Sequence, residues 1–297
     1  MLTGLSAFPL TPLADGKVDE AAFIRLIKHL AAAGVDAICA QGSTGGYAYL
    51  TTEVRQRLAA IAVENAEGVP VMVSIGAIRL QEIQQLAQSV QQAGVTAVLM
   101  APVSYQRLKP DEVYALYETV TRELSVPLCI YDNPGTTGFA FSDDLLAAIA
   151  ALPAVGSIKL STVAGEPLCG KARVDALRAR IPQHVSIGIS GDWQAADGFA
   201  AGCDIWYSVL GGLFPAISLA LVRAAQAGDL QQAARLSADL EPLWQLFRTH
   251  GGMRVMATAA EILGFVQPPC LPFPLRELAG DDKVRLEQIL KSTALLN

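Results

Sequence analysis

The segment AVGSIKLST, residues 154–162, ends an apolar run with a lysine, and a cation in that setting is the first place to look for chemistry. The chain has seven lysines. Lys17, Lys28, Lys109, Lys171, Lys283 and Lys291 stand in turns or among charged and polar neighbours, whereas Lys159 alone has an apolar strand around it. An amine attacks a carbonyl carbon only in its neutral form, and apolar burial favours that form. Lys159 is therefore a candidate imine-forming nucleophile, with a buried ion pair or a side chain snorkelling to a rim as the structural alternative.

Imine formation moves protons, and a phenol can carry them. Tyr131, in PLCIYDNPGTTG, lies twenty-eight residues before Lys159, the spacing of one strand–helix unit, although a tyrosine at a strand end also serves in packing. A third stretch, QGSTGGYAYLT, sets Ser43 and Thr44 between glycines that let the backbone approach a ligand. Hydroxyls and oriented N–H groups of this kind suit a carboxylate. The Gly-Lys-Ser/Thr ending of a phosphate loop is missing, and a tight turn capping a helix at Thr51 or Thr52 explains the glycines equally well.

These residues need elements to hold them. AAGVDAICAQG, QAGVTAVLMAP and AAGCDIWYSVLG each read as a helix ending at glycine followed by a short apolar strand. Gly34 and Gly94 are sixty residues apart, room for two strand–helix units of about thirty. LTGLSAF, PVMVSIG, PLCIYD, AVGSIKL and HVSIGISG complete eight strands, and residues 52–65, 80–93 and 110–124 repeat apolar side chains at helical spacing. The expected class is α/β, a closed (β/α)8 barrel, whose reactive groups gather at the C-terminal ends of the strands. A doubly wound sheet would open with a glycine-rich phosphate turn, and FPLTPLADG is not one. On a regular strand Val155, Ser157 and Lys159 share a face, as Cys129 and Tyr131 do on the strand before. Residues 1–226 are expected to form the barrel and residues 227–297 a helical extension packed on it, with helices over 229–247, 253–263 and 281–296.

Composition excludes several classes. Of 297 residues, 52% are hydrophobic and 17% charged, a balance for a large core rather than a disordered chain. A net charge of -6 and no basic cluster argue against nucleic acid as a partner. SVLGGLFPAISLALV is too short and too interrupted to span a membrane, and MLTGLSAFPLTP lacks the basic start of a signal peptide, so a cytoplasmic protein is expected. Five scattered cysteines fit reduced buried thiols, and three isolated histidines show no metal-ligand spacing.

GSTGG, YDNPGTTG and GSIKLST, in that order on a barrel of this length, together with SGDWQAAD, YSV and LPFPL, resemble the dihydrodipicolinate synthase/N-acetylneuraminate lyase family over essentially the whole chain. The resemblance implies a TIM barrel, usually a homotetramer, that binds pyruvate or another 2-keto acid as a lysine imine and needs no metal or organic cofactor. It makes Lys159 the Schiff-base lysine and Tyr131 the general acid/base. Ser43 and Thr44 would hold the keto-acid carboxylate, with Thr44 also relaying protons. Ser161, Gly191, Asp192 and Ser208 would line the substrate pocket, although Asp192 could instead cap the helix after it. The pattern departs at three places. Gly46 stands where the family has glutamate, and Thr136 where the synthases have arginine. Ser104 takes the place of the relay tyrosine that the family supplies across a subunit interface, with Tyr105, one residue later, as its candidate replacement. The expected activity is a class I aldolase or lyase on pyruvate or a 2-keto acid, or a sugar-acid dehydratase. The lysine-pathway synthase and a non-catalytic keto-acid-binding protein stand as alternatives.

Overall fold

The computed structural model describes the backbone of residues 3–161, 167–292 and 295, and the side chains of these except 167–169. Eight parallel strands close a barrel: β1 (Gly4–Ala7), β2 (Ala37–Ala40), β3 (Val71–Ser74), β4 (Ala97–Met100), β5 (Leu128–Asp132), β6 (Val155–Leu160), β7 (Ser186–Ile189) and β8 (Ile205–Ser208). Each strand pairs with its sequence neighbours, and β1 closes the ring on β8. All eight expected strands are present. Every residue in them is buried except Gly156, which is why they read as unbroken apolar runs rather than alternating ones.

Helices α1 (Glu20–Ala33), α2 (Thr52–Asn65), α3 (Leu80–Gln92), α4 (Pro110–Thr121), the single turn α5 (Pro134–Thr137), α6 (Asp143–Ala150), α7 (Pro167–Arg178), α8 (Ala195–Ala200) and α9 (Pro215–Gln226) fill the connections. Their starts are set locally. Asp19 accepts from the Ala22 N–H at 2.9 Å, Thr51 from Val54 at 3.4 Å and Ser142 from Leu145 at 3.2 Å. Gly34, at φ 71°, ends α1 in the left-handed conformation that a Cβ would penalise. Thr51 thus caps α2, one of the two readings of the glycine-rich stretch before it.

The ladder between β5 and β6 carries an irregularity that positions the lysine. Leu128 pairs with Val155 but Cys129 pairs with Ser157, so Gly156 is an extra residue in β6. Val155 packs in the layer between strands and helices, while Ser157 and Lys159 follow the barrel interior. The expectation that all three share a face fails at Val155, because a bulge shifts the alternation by one residue. Glycine fits the bulge for a steric reason: a Cβ there would lie 2.7 Å from that of Pro127.

Two apolar clusters result. The larger lies between strands and helices; the smaller fills the barrel with Phe8, Cys39, Met72, Leu99, Cys129, Tyr131, Ile205 and Tyr207. Beyond α9 come α10 (Leu230–Asp239), α11 (Glu241–His250), α12 (Gly252–Ile262) and α13 (Gly280–Ser292). The helix expected over 229–247 is two helices, breaking at Leu240 just before Pro242, a residue tolerated only in a first turn. Trp244, Met256 and Leu286 of these helices join the larger cluster, so the core is continuous from barrel to tail. Among the described residues no helix is long and apolar enough to cross a membrane.

Candidate active site

Lys159 and Tyr131 occupy paired positions on β6 and β5, toward the C-terminal ends of both strands. The Lys159 Nζ lies 3.9 Å from the centroid of the Tyr131 ring, 3.9 Å from that of Phe8 and 5.6 Å from that of Tyr207. The lysine is 3% exposed, and among the described residues it forms no ion pair with a carboxylate. The buried ion-pair alternative has no partner there, and a snorkelling side chain would be more exposed. Among the described residues the amine instead rests against the faces of aromatic rings, which hold a cation more weakly than a buried carboxylate would.

Sequence reasoning missed two of these rings, Phe8 and Tyr207. Each aromatic sits where a neighbouring glycine yields space, Gly42 in the turn after β2 and Gly188 within β7. A Cβ on Gly42 would meet the Phe8 ring at 2.5 Å, and one on Gly188 would meet the Tyr207 ring at 2.3 Å. These pairings become readable only when the barrel register is known. Tyr207 is fully buried, and its Oη lies 2.5 Å from Ser157 Oγ and accepts from the Cys129 thiol at 3.3 Å. Ser186 Oγ donates onward to Ser157 at 2.8 Å. Burial pushes the Tyr207 phenol well above the tyrosine range and the Cys129 thiol up to about 11, so this layer stays neutral beneath the lysine.

The Tyr131 phenol is nearly buried, and its oxygen accepts a hydrogen bond from Asn133 Nδ2 at 3.0 Å; the same amide nitrogen is 2.9 Å from Thr136 Oγ1. Ser43 and Thr44 occupy the turn after β2, on the same end of the barrel as Lys159, with Thr44 buried and Ser43 half-buried. The turn doubles back tightly: Gly46 N–H donates to Ser43 O at 3.1 Å, and a Cβ on Gly45 would be 2.9 Å from the Gln41 Cα. Gly46, at φ 62°, is approached by the Met253 methyl of α12. Ser161, just past β6, and Gly191, just past β7, are brought together, the Ser161 carbonyl lying 3.3 Å from where a Gly191 Cβ would stand.

Asp192 and Ser208 are bound up with each other. Ser208 Oγ donates to Asp192 at 2.8 Å and accepts from the Gly211 N–H at 2.7 Å. Asp192 also accepts from the Val209 and Leu210 N–H groups at 3.2 and 2.8 Å. Among the described residues these hydrogen bonds join the ends of β7 and β8 to each other, and both side chains are buried. Asp192 caps a turn after β8 rather than the helix following it in sequence, which corrects that alternative. Burial raises its carboxyl above the ordinary range, against the opposing hydrogen bonds. Tyr105 is 89% exposed on the loop after β4, and it is not one of the aromatics around Lys159 in its own chain. A second buried cation also escaped the sequence reading. Arg55, held by the carbonyls of Ser74 and Gly76 at 2.8 and 2.9 Å, has its guanidinium carbon 5.0 Å from the centroid of the Tyr47 ring. Burial pulls Arg55 down to about 10 and pushes Tyr47 up to about 12.

Among the described residues no three His, Cys, Asp or Glu side chains are grouped to hold a metal ion. What the described residues offer is an amine with no carboxylate paired to it, a tyrosine ring against it and hydroxyl-bearing turns at the mouth, a set suited to carbonyl chemistry.

The sequence profile of the Dihydrodipicolinate synthetase family matches residues 1–293. A curated relative from Maridesulfovibrio salexigens, named 4-hydroxy-tetrahydrodipicolinate synthase, is 27% identical over 97% of each chain. Among solved structures, a dihydrodipicolinate synthase from Agrobacterium tumefaciens is 41% identical, covers 98% of this chain and 97% of its own, and superposes with a TM-score of 0.94. A chloride-inhibited dihydrodipicolinate synthase from Acinetobacter baumannii, complexed with pyruvate, is 26% identical over 98% of each chain with a TM-score of 0.89.

Proposed function

The chain belongs to the dihydrodipicolinate synthetase family, and from that premise we propose that it is a class I aldolase, a lyase that takes pyruvate or a close 2-keto acid as an imine on Lys159. One observation carries the residue assignment: the Lys159 amine lies against the Tyr131 ring with no carboxylate paired to it among the described residues.

In this scheme the neutral amine attacks the keto carbon, a C–N bond forms, and a proton moves from nitrogen to oxygen through the phenol. Tyr131 then gives its own proton to the carbinolamine hydroxyl, which leaves as water. A protonated imine and a phenolate remain as a pair. The phenolate takes a proton from the carbon next to the imine carbon, giving a neutral enamine and restoring the phenol, and the enamine carbon attacks an aldehyde; the reverse sequence cleaves one. Ser43 and Thr44 hold the keto-acid carboxylate through hydroxyl and backbone N–H groups, with Thr44 beside the proton path, and Ser161 and Gly191 border the second substrate. No metal or organic cofactor enters, because the imine is the electron sink. A homotetramer in the cytoplasm is part of the same proposal.

For the second substrate, the names of the relatives favour the lysine-pathway synthase, which the sequence reading held as an alternative to a general 2-keto-acid aldolase or lyase. Thr136, in place of the arginine expected in synthases, is the residue that set the opposite order. Borohydride added to protein and pyruvate, followed by peptide mapping, should place a reduced adduct on Lys159 and none on a Lys159→Ala variant. Absence of the adduct with every 2-keto acid tried would sink the proposal. Rapid consumption of an amino-acid semialdehyde selects the synthase, turnover of a sugar acid selects the lyase, and an adduct with no turnover selects a binding protein.

A further inference from the structure

Asn133 breaks a local rule. It stands at the N-cap of α5, where an asparagine normally turns its side-chain oxygen onto the first free N–H groups of the helix, yet its side chain makes no capping hydrogen bond. Its backbone is nonetheless pinned, the carbonyl accepting from Thr136 N–H at 3.1 Å, Thr137 N–H at 3.0 Å and the Thr137 hydroxyl at 3.0 Å. With the main chain fixed, the amide reaches back along the strand end and donates Nδ2–H to the Tyr131 oxygen at 3.0 Å. Thr136 Oγ1, 2.9 Å from the same nitrogen, fixes the amide from its other side. A side chain that gives up its local role to bond a buried phenol marks a functional demand rather than a folding one.

We infer that Asn133 is a positioning residue for the Tyr131 acid/base step, an inference that rests on the aldolase reading. Because the amide N–H occupies one lone pair of the phenol oxygen, the phenol's own hydrogen is turned away from Asn133 and is free for the reaction. When Tyr131 passes that proton to the carbinolamine hydroxyl and water departs, the negative charge left on the phenol oxygen meets a donor already in place. A hydrogen bond to a charged oxygen is roughly twice as strong as one to a neutral oxygen, so the amide helps the charge-separated step more than the ground state.

The test uses borohydride trapping of the pyruvate imine by the full-length protein, with the rate of imine formation and the half-saturating pyruvate concentration read separately. Asn133→Leu, close in size but without the donor, should slow imine formation roughly ten- to a hundredfold and move half-saturation by less than about threefold. Asn133→Asp, equal in size but presenting negative charge to the phenol, should be slower still. In a Tyr131→Phe background the Asn133→Leu change should cost nothing further, since its partner oxygen is gone. Wild-type trapping rates in both Asn133 variants, or an undiminished loss in the Tyr131→Phe background, would overturn the inference. Thermal melts of each variant identify any loss caused by misfolding, and Thr136→Val, which removes only the outer support of the amide, then serves as the milder variant and should slow trapping in the same direction. Failure of the wild type itself to trap pyruvate is a different result and counts against the aldolase reading.

Discussion

At the scale of single residues the protein is decided by what each polar group is left to do. Lys159 sets its amine against the face of the Tyr131 ring inside the barrel, and both residues are buried. Tyr131→Phe should reduce turnover by about 10²–10⁴-fold, the usual weight of a general acid/base, with a smaller change in keto-acid affinity; steady-state kinetics against pyruvate checks both. Asp192 illustrates the opposite fate, since its hydrogen bonds fasten the chain after β8. Burial holds its carboxyl above the ordinary range, so the folded chain binds that proton more tightly than the unfolded one. Its contribution to stability is full below the unfolded value of about 3.9 and is lost as pH climbs through the raised folded value. Asp192→Asn should accordingly lose most stability relative to wild type near pH 4 and less toward pH 7, measured by urea unfolding at both. A gap that widened with pH would contradict this.

At the scale of elements, the eight strands were legible because parallel strands covered on both faces have a distinctive composition, and the start of α2 because Thr51 bonds its own backbone; the caps at Asp19 and Ser142 were not read from the sequence. What escaped was anything that depends on register. The bulge at Gly156 moves Val155 outward; the glycine within VGSIKL is its only trace in the string, and the sequence reading kept a regular alternation through it. Phe8 and Tyr207 were likewise hidden, because an aromatic in an apolar run reads the same whether it faces the helices or the barrel. The glycines opposite them are the physical record of which way they face. Gly188→Ala would place a methyl 2.3 Å from both Ile205 and Tyr207 side-chain atoms. It should destabilise the fold by about 1–3 kcal/mol or more, read from the urea midpoint, and slow imine formation by shifting the ring under the lysine.

At the scale of the whole molecule, the barrel and the tail helices share one core, so the thiols within it should open only on unfolding. Burial pushes Cys129 up to about 11, Cys203 and Cys270 up to about 12, and Cys39 higher. A colorimetric thiol titration of the native protein near pH 8 should therefore find these four unreactive, with five reacting in denaturant; the side chain of Cys169 lies outside the described residues. Light scattering should report four times 31.3 kDa if the tetramer forms. The Tyr207–Ser157–Ser186 layer has one more consequence. It ties side chains of three adjacent strands, β6, β7 and β8, into one hydrogen-bonded belt under the amine, so the strand that carries the lysine is braced sideways as well as by its own ladder.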